Sequence, residues 1–329
     1  MRALVTGGAG YIGSHMTLEL LDAGHSVVVV DDLSTGHASA IPAGVTFQRG
    51  DVGDADLMAR LIGATGVDAI LHFAGSIVVP DSVANPLGYY LNNTVKSRTL
   101  IETAVKSGVR HFIFSSTAAV YGTPGCASVT ETAPLKPLSP YGNSKLMTEM
   151  MLADAARAHD LSYVVLRYFN VAGADPKGRA GQSTAKATHL VKVACEAALG
   201  KRSHLEVFGT DYPTSDGTCI RDYIQVSDLA RAHSAALAYL AAGGASETFN
   251  CGYGRGFSVL EVVEAVKRAA GRTFEVRLCP RRPGDPAQIV AASEKIRGAL
   301  GWTPAYADLD VIVAQALKWE DQLGTRPRS

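Results

Sequence analysis

Short apolar runs alternate with longer stretches of helical period through the first half of the chain. Residues 3–6 form an apolar run that ends at Gly7, and a helical stretch that ends at Gly24 precedes the apolar run at 27–30. Such runs are typical of buried strands, and apolar positions at the helical period are typical of helices. The pattern predicts strands at 3–6, 27–30, 45–48, 69–73, 112–115 and 163–168, and helices that include 54–62, 86–105 and 141–158.

Strands that alternate with helices predict a parallel sheet with helices on both faces. The expected fold class is α/β, with a Rossmann-type doubly wound parallel sheet and a smaller C-terminal α/β substrate lobe. Ligands of such sheets bind beyond the carboxyl ends of the strands. The positions expected along that crevice are 7–13, 31, 51, 73–75, 115–117 and 169–170, with the helix at 141–158 beside it.

The pattern changes after residue 170. Segments 173–185, 211–222 and 280–286 are rich in small and polar residues and predict loops, and 324–329 predicts a frayed tail. Helices are expected at 188–199, 227–242, 258–270, 293–300 and 307–323, and strands at 205–208 and 248–250, the latter rejoining the first sheet. We expect a first domain over 1–170, to which 226–250 return, and a second lobe made of 171–225 and 251–329.

Composition excludes several classes of partner. The 329 residues include 31 basic and 31 acidic side chains, so no charge excess favours nucleic acid or an anionic membrane. The longest aliphatic run, 27–30, is too short to cross a bilayer, and the first residues lack the pattern of a secretory signal. Five cysteines without a CxxC pair predict neither a disulfide framework nor a zinc site. These features predict a cytoplasmic protein without a metal.

A glycine-rich turn follows the first predicted strand. Glycines at 7, 10 and 13 permit positive φ and allow the backbone to approach a pyrophosphate at the start of a helix. Asp31 ends the next strand, where an acid can bind the adenosine ribose hydroxyls and would repel a 2′-phosphate. Strand, glycine turn, helix, strand and acid together predict a dinucleotide site that favours NAD over NADP.

Tyr141 and Lys145 lie four residues apart in a predicted helix that Ser139 can cap and Pro140 can begin. Their spacing places the phenol and the ammonium on one face. An ammonium about 4 Å from a phenolate stabilises it by roughly 4 kcal/mol at an effective dielectric constant of about 20. This would lower the pKa of the phenol from about 10 towards roughly 7, where a general base works best. A solvated helix face is the alternative interpretation.

With these motifs collected, the chain resembles the UDP-glucose 4-epimerases (UDP-galactose 4-epimerases) of the extended short-chain dehydrogenase/reductase superfamily. The glycine turn and the Tyr141–Lys145 pair are shared by the whole superfamily, whereas the segment from Asp211 to Tyr223 is more particular to the epimerases. The similarity extends from the first strand to Trp302, through motifs at 5–15, 71–75, 114–122, 139–145, 167–170, 211–224 and 280–285.

The resemblance implies a role for each motif. Tyr141 would be the catalytic base, Lys145 its partner, and Thr117 the hydroxyl that bonds the sugar 4-OH. The residues that would hold NAD are Gly7, Gly10, Tyr11, Ile12, Gly13, Asp31, Asp32, Leu33, Ser34, Thr35, Gly36, Asp51, Val52, Phe73, Ala74, Gly75, Asn92, Ser115, Tyr141, Lys145 and Phe169. Those that would hold the UDP-sugar are Thr117, Tyr141, Tyr168, Asn170, His189, Phe208, Arg221, Arg282 and Asp285.

Within these sets, the resemblance places Asp51 opposite adenine and Phe208 beside uracil. Asn170, Arg221 and Arg282 would grip the diphosphate, which suits the fixed fork of a guanidinium. The implied reaction is a transient oxidation at C4 to a 4-keto sugar, after which the sugar turns over and hydride returns to the opposite face. Tightly held NAD and a homodimer formed through the helices at 86–107 and 141–158 are also implied.

Three positions depart from the family pattern. His189 replaces one member of an Asn pair and could donate to a phosphate or simply begin a helix. Ile289 stands where some relatives have a bulky aromatic, so the smaller side chain is expected to admit an N-acetylhexosamine as well as a hexose. Ile77 replaces a Lys that follows the Phe73-Ala74-Gly75 motif in some members.

Alternative functions are open at this point. A 4,6-dehydratase would need an Asp-Glu pair after the strand-end Thr, and this chain has Ala118 and Ala119 there. A 4-epimerase of UDP-N-acetylhexosamine or UDP-pentose shares the same motifs. A dehydrogenase would need exchangeable NAD, and a non-enzymatic NAD-sensing regulator would have no use for Tyr141, Lys145 and Thr117 together.

Overall fold

Seven parallel strands form the central sheet of the structure, which is a computed structural model. It describes residues 1–126, 128–184, 187–282 and 284–325. Of residues 324 and 325 it describes the backbone only. In the order in which they lie side by side, the strands are β3 (Thr46–Arg49), β2 (Ser26–Asp31), β1 (Arg2–Thr6), β4 (Ala69–His72), β5 (His111–Ser115), β7 (Ser162–Tyr168) and β11 (Glu247–Cys251). The order runs outward from β1 in both directions, which confirms the doubly wound sheet and the return of 248–250 to it.

Helices cover both faces of this sheet. One face carries α1 (Tyr11–Asp22) and α8 (Val226–Ala241), and the other carries α2 (Ala55–Thr65), α5 (Lys96–Lys106) and α6 (Pro140–Ala158). The remaining α-helices are α3 (Val79–Ala84), α4 (Pro86–Tyr89), α7 (Leu190–Ala198), α9 (Val259–Ala270), α10 (Glu294–Leu300) and α11 (Leu309–Thr325). None of the helices in the described part of the chain is long and apolar enough to span a bilayer.

Alternate residues of each central strand enter different cores. Val5 and Val29 face the core beneath α1 and α8, whereas Leu4 and Val28 face the core beneath α2, α5 and α6. All four are fully or almost fully buried. Strands buried on both faces read as continuous apolar runs, which is why periodicity alone located them. The first core continues without a break into α7, α9 and α11.

A second, smaller sheet lies beside the first. Its strands are β12 (Gly256–Ser258), β10 (Ile220–Gln225), β14 (Gln288–Ala291) and β6 (Ser128–Val129), with β8 (Asn170–Ala172) also paired to β10, while β9 (Leu205–Phe208) and β13 (Val276–Cys279) form a separate pair. The loop predicted at 211–222 is therefore wrong at its end, because β10 begins at Ile220. The α/β character of the C-terminal lobe is as expected.

The apolar pattern of the sequence did not predict β10 because this strand carries buried polar side chains. Asp222 is fully buried, and its carboxylate accepts the backbone N–H groups of Tyr253 at 3.0 Å, Gly254 at 3.0 Å and Ala291 at 3.2 Å. Gln225 is also fully buried and caps α8. A strand whose inward side chains tie down backbone amides carries no apolar alternation.

The helix predicted over 86–105 is present but not uniform. A π-helical turn, Tyr90–Val95, joins α4 to α5 and changes which side chains face the sheet. The helix ends before Gly108, which has φ of +71°. The other predicted helices and strands are confirmed with small shifts at their ends. Helix α11 extends to Thr325, and the rest of the predicted tail, 326–329, lies outside the described residues, as do 185 and 283 of the predicted loops.

Candidate active site

The turn between β1 and α1 brings two glycine backbones into contact. A Cβ atom on Gly13 would lie 2.1 Å from the Gly7 carbonyl oxygen, and one on Gly7 would lie 2.7 Å from the Ala74 amide nitrogen. Gly7 also has φ of +70°, where a side chain is strained. Helix α1 begins after Gly10 with no side-chain cap, so the amides of its first turn can bind an anion.

Asp31 lies at the carboxyl end of β2, with its carboxylate buried beside this turn. One oxygen accepts the Ala9 N–H at 3.0 Å and the other accepts the Leu33 N–H at 2.8 Å. Burial raises the pKa of Asp31, against the effect of these two bonds. Leu33 has φ of +62°, alone among the described non-glycine residues in being left-handed, a strain of about 1 kcal/mol or more. Asp32 then closes the turn by accepting both donors of Ser34.

The segment after β3 holds the Asp51 carboxylate in an ion pair, and its predicted role opposite adenine stays a prediction. The Asp51 carboxylate, expected to face adenine, forms an ion pair with Lys96 at 2.7 Å and accepts the Gly53 N–H at 2.8 Å. The side chain of Val52 is buried in the core, so only its backbone can face the crevice. Lys96 has no motif around it and could not be singled out from the sequence.

A buried hydroxyl organises the segment after β4. The N–H groups of Phe73 and Ala74 donate to Thr6 Oγ1 at 3.2 Å and 3.4 Å. The same oxygen lies 2.7 Å from His72 Nδ1, and His72 Nε2 lies 2.8 Å from Ser97 Oγ. Burial lowers the pKa of His72 to about 3, so its ring is neutral. This chain of bonds fixes the backbone that packs against Gly7.

The π-helical turn places two amides over the next residues. Asn92 donates to Ser76 Oγ at 2.9 Å. Asn93 is buried, accepts the Ser76 N–H at 2.7 Å and donates to both the Ser76 carbonyl at 2.9 Å and Ser144 Oγ at 3.0 Å. Asn93 therefore ties the loop after β4 to α6. Asn93 was not predicted as a site residue. The only indication in the sequence was its position next to Asn92, which was predicted to bind NAD.

The start of α6 is as predicted. Ser139 caps it by accepting the Gly142 N–H at 3.2 Å, and Pro140 is the first helical residue. Tyr141 is 8% exposed and Lys145 is 4% exposed, so both lie on the face packed against the sheet. The alternative of a solvated helix face is excluded.

The Lys145 ammonium is held without a carboxylate in contact. Its Nζ donates to the Ser115 carbonyl at 3.1 Å and lies 4.9 Å from the centre of the Phe114 ring. Burial lowers the pKa of Lys145 to about 8. An ammonium in this position is fixed at the carboxyl end of β5 and close to Gly75, where an added Cβ atom would lie 3.7 Å from Nζ. Gly75 follows Ala74, whose backbone packs against Gly7 of the glycine turn.

The predicted fall in the pKa of Tyr141 is wrong for the chain by itself. Burial raises that pKa to about 12, while a hydrogen bond with the Thr117 side chain acts in the opposite direction. Desolvation of the phenolate outweighs the hydroxyl contact because water no longer solvates the charged form. The Lys145 ammonium, aimed at the Ser115 carbonyl, does not reverse this.

Thr117 reaches Tyr141 because α6 packs tightly on the turn that follows β5. A Cβ atom on Gly142 would lie 2.8 Å from the Ala119 carbonyl oxygen. Thr117 is 8% exposed, and its Oγ1 accepts the Ala119 N–H at 3.1 Å. On the other side of this strand end, Ser115 Oγ donates to the Tyr168 hydroxyl at 2.8 Å.

Two pairs form among the predicted substrate residues. Arg221 Nη2 lies 3.4 Å from Asp285 Oδ1. The Arg282 guanidinium lies 3.7 Å from the centre of the Phe208 ring. The structure thus brings together residues that are more than sixty positions apart in the chain. Both pairs belong to the C-terminal lobe.

Asn170 and His189 lie closer to the central sheet. Asn170 begins β8 and is paired in register with Tyr223 of β10. His189 Nδ1 lies 2.7 Å from the amide nitrogen of Gln182, which donates to it. The ring proton is then on Nε2, which leaves a donor of the kind expected for this position. Burial lowers the pKa of His189, which keeps the ring neutral.

Of the three departures from the family pattern, Ile289 lies in a small apolar cluster that includes Ala118, the neighbour of Thr117. Ala118 and Ile289 are both 7% exposed, and Phe169 packs against the same cluster. Ala118 and Ala119 begin a 3₁₀ turn, Ala118–Tyr121, that offers no acidic side chain. Ile77 is 48% exposed and makes no charge available near the strand ends.

The geometry fits a dinucleotide. An uncapped helix start, a turn that only glycines can form and a fixed carboxylate at the end of β2 accommodate a pyrophosphate and an adenosine ribose. The neighbouring Tyr141, Lys145 and Thr117 add a proton-transfer group. These features define a dinucleotide-dependent enzyme of the short-chain dehydrogenase/reductase type. A sequence profile of the NAD dependent epimerase/dehydratase family matches residues 3–252, and the chain belongs to that family. Its cofactor is NAD.

Within this family, the chain is similar to several proteins named as 4-epimerases of UDP-sugars. The UDP-glucose 4-epimerase of Azospirillum brasilense is 57% identical over 98% of this chain and 92% of its own length. The crystal structure of UDP-glucose 4-epimerase from Brucella ovis in complex with NAD superposes with a TM-score of 0.94 at 42% identity, covering 96% of this chain and 97% of that one. The UDP-Glc/GlcNAc 4-epimerase of Campylobacter jejuni gives a TM-score of 0.86 at 49% identity, covering 98% and 99%.

Replacement of Gly13 by Ala is expected to empty the cofactor site. The new Cβ would lie 2.1 Å from the Gly7 oxygen, so the turn must open. We expect NAD released on denaturation to fall at least about tenfold, the effect of a loss of about 1.4 kcal/mol in binding. Gly63→Ala in α2 is the control, because its Cβ would meet nothing within 4 Å. A full complement of NAD in Gly13→Ala would show that the turn does not hold the cofactor.

Proposed function

We propose that the chain is an NAD-dependent isomerase that interconverts UDP-glucose and UDP-galactose at C4 of the hexose. The observation that carries the proposal is the buried group of Tyr141, Lys145 and Thr117 beside the glycine turn. The names of the Azospirillum brasilense and Brucella ovis relatives support the same substrates. With those substrates, the protein would act in galactose metabolism.

The site residues divide the reaction between them. When bound, NAD would supply the hydride acceptor and donor that oxidation and reduction at C4 of the sugar require. Thr117 holds the 4-OH and relays its proton to Tyr141, which gives it back in the second half of the reaction. The Lys145 ammonium offsets the negative charge that develops on the phenol. Water is excluded because all three side chains are at least nine-tenths buried.

The C-terminal lobe is proposed to hold the nucleotide. Arg221, Arg282 and Asn170 would bind the diphosphate, and Phe208 would contact uracil. Arg282 lies over the Phe208 ring and Arg221 lies beside Asp285. The Asp285 N–H donates to the Arg282 carbonyl at 3.4 Å, so the two pairs meet in one loop. A tightly held diphosphate and a loosely held hexose suit a reaction in which the sugar must turn over.

Dehydration is a poor alternative for this site. Loss of water from the sugar needs an additional acid and base next to the reacting carbons. Ala118 and Ala119 occupy the turn after Thr117, and neither can transfer a proton. The site is therefore suited to reversible oxidation alone.

The purified protein is expected to convert UDP-galactose to UDP-glucose without added reductant and without accumulation of NADH. Tyr141→Phe should lower kcat by about two to four orders of magnitude, the usual contribution of a positioned acid–base group, while NAD stays bound. Tyr163→Phe, a tyrosine of β7 outside the site, should leave the rate unchanged. Stoichiometric NADH formation would contradict epimerisation, and near-normal turnover of Tyr141→Phe would remove that residue from its role.

A second candidate is epimerisation of UDP-N-acetylhexosamines or UDP-pentoses. Ile289 packs against the cluster beside Thr117, where a larger aromatic would restrict the space. The name of the Campylobacter jejuni relative, a UDP-Glc/GlcNAc 4-epimerase, also favours acceptance of an N-acetyl group.

UDP-N-acetylgalactosamine is expected to be a substrate, and Ile289→Tyr should reduce its turnover by about tenfold or more relative to that of UDP-galactose. The reason is steric, since an added ring fills the space that the acetyl group needs. Ile289→Leu, of equal volume, is the matched control and should preserve the ratio of the two rates. Equal losses for both sugars in Ile289→Tyr would contradict a specificity role.

We also propose a homodimer formed through the helices beside the site. Val79, Val83, Leu87, Leu91 and Val95 recur every four residues along α3, α4 and the π-helical turn, and each is between 42% and 78% exposed. Met147 and Met150 of the neighbouring α6 are 42% and 60% exposed. Contiguous exposed apolar surface of this kind favours a protein contact.

Leu87→Glu is expected to shift the protein from dimer to monomer in sedimentation velocity experiments, because a buried unpaired carboxylate is costly at an interface. Leu278→Glu on β13 is the matched control, since Leu278 is 64% exposed but lies elsewhere. A monomeric unmodified protein, or a dimer in Leu87→Glu, would contradict this interface.

The division of labour between the lobes is likewise a proposal. Residues 1–170 with 226–250 would bind NAD, and 171–225 with 251–329 would bind the nucleotide sugar. The return of β11 to the central sheet supports this division. The cytoplasmic location expected from the cysteine pattern stays a prediction.

A further inference from the structure

A buried ion pair lies on the side of α6 that carries Tyr141 and Lys145, and the proposed reaction leaves it unused. Glu149 follows Lys145 by one helical turn, and Arg167 lies on β7. Their side chains are 7% and 6% exposed. Burial of a complete ion pair is costly unless its hydrogen bonds are satisfied, and replacement by apolar residues is often neutral or stabilising. A role beyond stability is therefore worth identifying.

The pair is fully satisfied. Arg167 Nε donates to both Glu149 oxygens at 3.1 Å, and Nη2 donates to Oε2 at 2.6 Å. Ser116 Oγ donates to Oε1 of the same carboxylate. Arg167 Nη1 donates to the Tyr121 hydroxyl at 3.0 Å, which donates to Asn250 Oδ1 at 2.6 Å. The network thus joins α6 to the strand end of β5 and to β7 and β11.

Ser116 gives this network a direct relation to the site. It is fully buried and lies between Ser115, whose carbonyl accepts from Lys145, and Thr117. Glu149 therefore holds α6 to the very segment that carries two of the contacts of the catalytic pair. A shift of α6 along its axis would break the Ser116 bond and the Lys145 bond together.

The charges around the pair are arranged in a defined way. Lys145 forms no ion pair with any side chain that the structure describes, and Glu149 is the one described carboxylate that acts on it electrostatically. The other titratable groups that face Lys145 or Tyr141 are Tyr168 of β7, Tyr89 of α4 and His72 of β4, which is neutral. With Arg167 balancing Glu149, the net charge of the buried group comes from Lys145.

We propose that Glu149 is a positioning residue that balances the charge of the Lys145 ammonium and fixes α6 against the segment of Ser115, Ser116 and Thr117. This rests on the proposed roles of Tyr141 and Lys145. The Glu149 carboxylate helps to keep the Lys145 ammonium protonated at neutral pH, against burial, which favours the neutral amine. Arg167 limits that effect, because its guanidinium cancels most of the negative charge.

Glu149→Gln is the first test, since the amide keeps the shape of the side chain but removes its charge. Loss of a negative charge one helical turn away lowers the pKa of Lys145, and it lowers that of Tyr141, two turns away, to a smaller extent. The pH–rate profile is therefore expected to move to lower pH by roughly one unit. This is the pKa shift expected from the loss of one partly balanced charge a few ångströms away. The pH midpoint of the tyrosinate absorbance of Tyr141 should move in the same direction. This absorbance is measured with NAD bound, as the difference from the matching Tyr141→Phe protein.

Three further variants separate charge from structure. Ser116→Ala removes one hydrogen bond and no charge, so it should lower kcat without moving the pH–rate profile. Arg167→Gln leaves the carboxylate unbalanced and should move the profile to higher pH. Glu149→Gln combined with Arg167→Gln removes both charges and should return the profile to that of the unmodified protein. An unmoved profile in Glu149→Gln, or a shift to higher pH, would overturn the proposal.

Two safeguards keep the result decisive. If Glu149→Gln does not fold, Arg167→Gln and the double variant carry the test, and an unmoved profile in Arg167→Gln then overturns the proposal. The tyrosinate titration needs no turnover, so it reports on Glu149 even if UDP-galactose is not a substrate. Absence of activity in the unmodified protein contradicts the proposed function, whereas an unmoved titration contradicts the role of Glu149 alone.

Discussion

The burial of the Lys145 ammonium is the constraint on which the site depends. An ammonium removed from water loses several kcal/mol of hydration, which only close contacts can offset. The Ser115 carbonyl and the Phe114 ring supply those contacts, and both require α6 to lie tight against the strand ends. Gly142 permits this approach, because a side chain there would collide with the turn after β5. The packing of the helix then also places Tyr141 within hydrogen-bond reach of Thr117.

Much of the fold could be predicted because the central strands are buried on both faces. Each therefore appears as an unbroken apolar run, and the helices between them keep their period. The second sheet could not be found this way. Its strands are short, and β10 owes its stability to a carboxylate, Asp222, that binds amides from segments about thirty and seventy positions away in the chain. The π-helical turn could not be predicted either, since Tyr90–Val95 lies inside a longer helical stretch and one widened turn leaves no separate periodicity.

The site shows the same division between local and distant information. The spacing of Tyr141 and Lys145 on one helical face, and the capping of that helix by Ser139, are local properties and were predicted correctly. The direction of the Tyr141 pKa was not, because desolvation depends on everything that surrounds a side chain rather than on its neighbour in the helix. Lys96 was missed for a related reason, because it meets its carboxylate only after the chain has folded and stands in no recognisable motif. Arg167 begins the 167–170 motif, but its buried pairing with Glu149 could not be predicted from that motif.

The Asp31 carboxylate has a consequence for coenzyme engineering. Each of its oxygens already binds a backbone amide, one from the glycine turn and one from a left-handed Leu33. Exchange of Asp31 for a small neutral residue, the obvious way to admit a phosphorylated ribose, would leave two buried N–H groups without partners and release a strained turn. The same carboxylate therefore sets the coenzyme preference and holds the shape of the glycine turn, so the two properties change together. A change of preference calls for transplantation of the whole 31–36 turn together with the residues that face it.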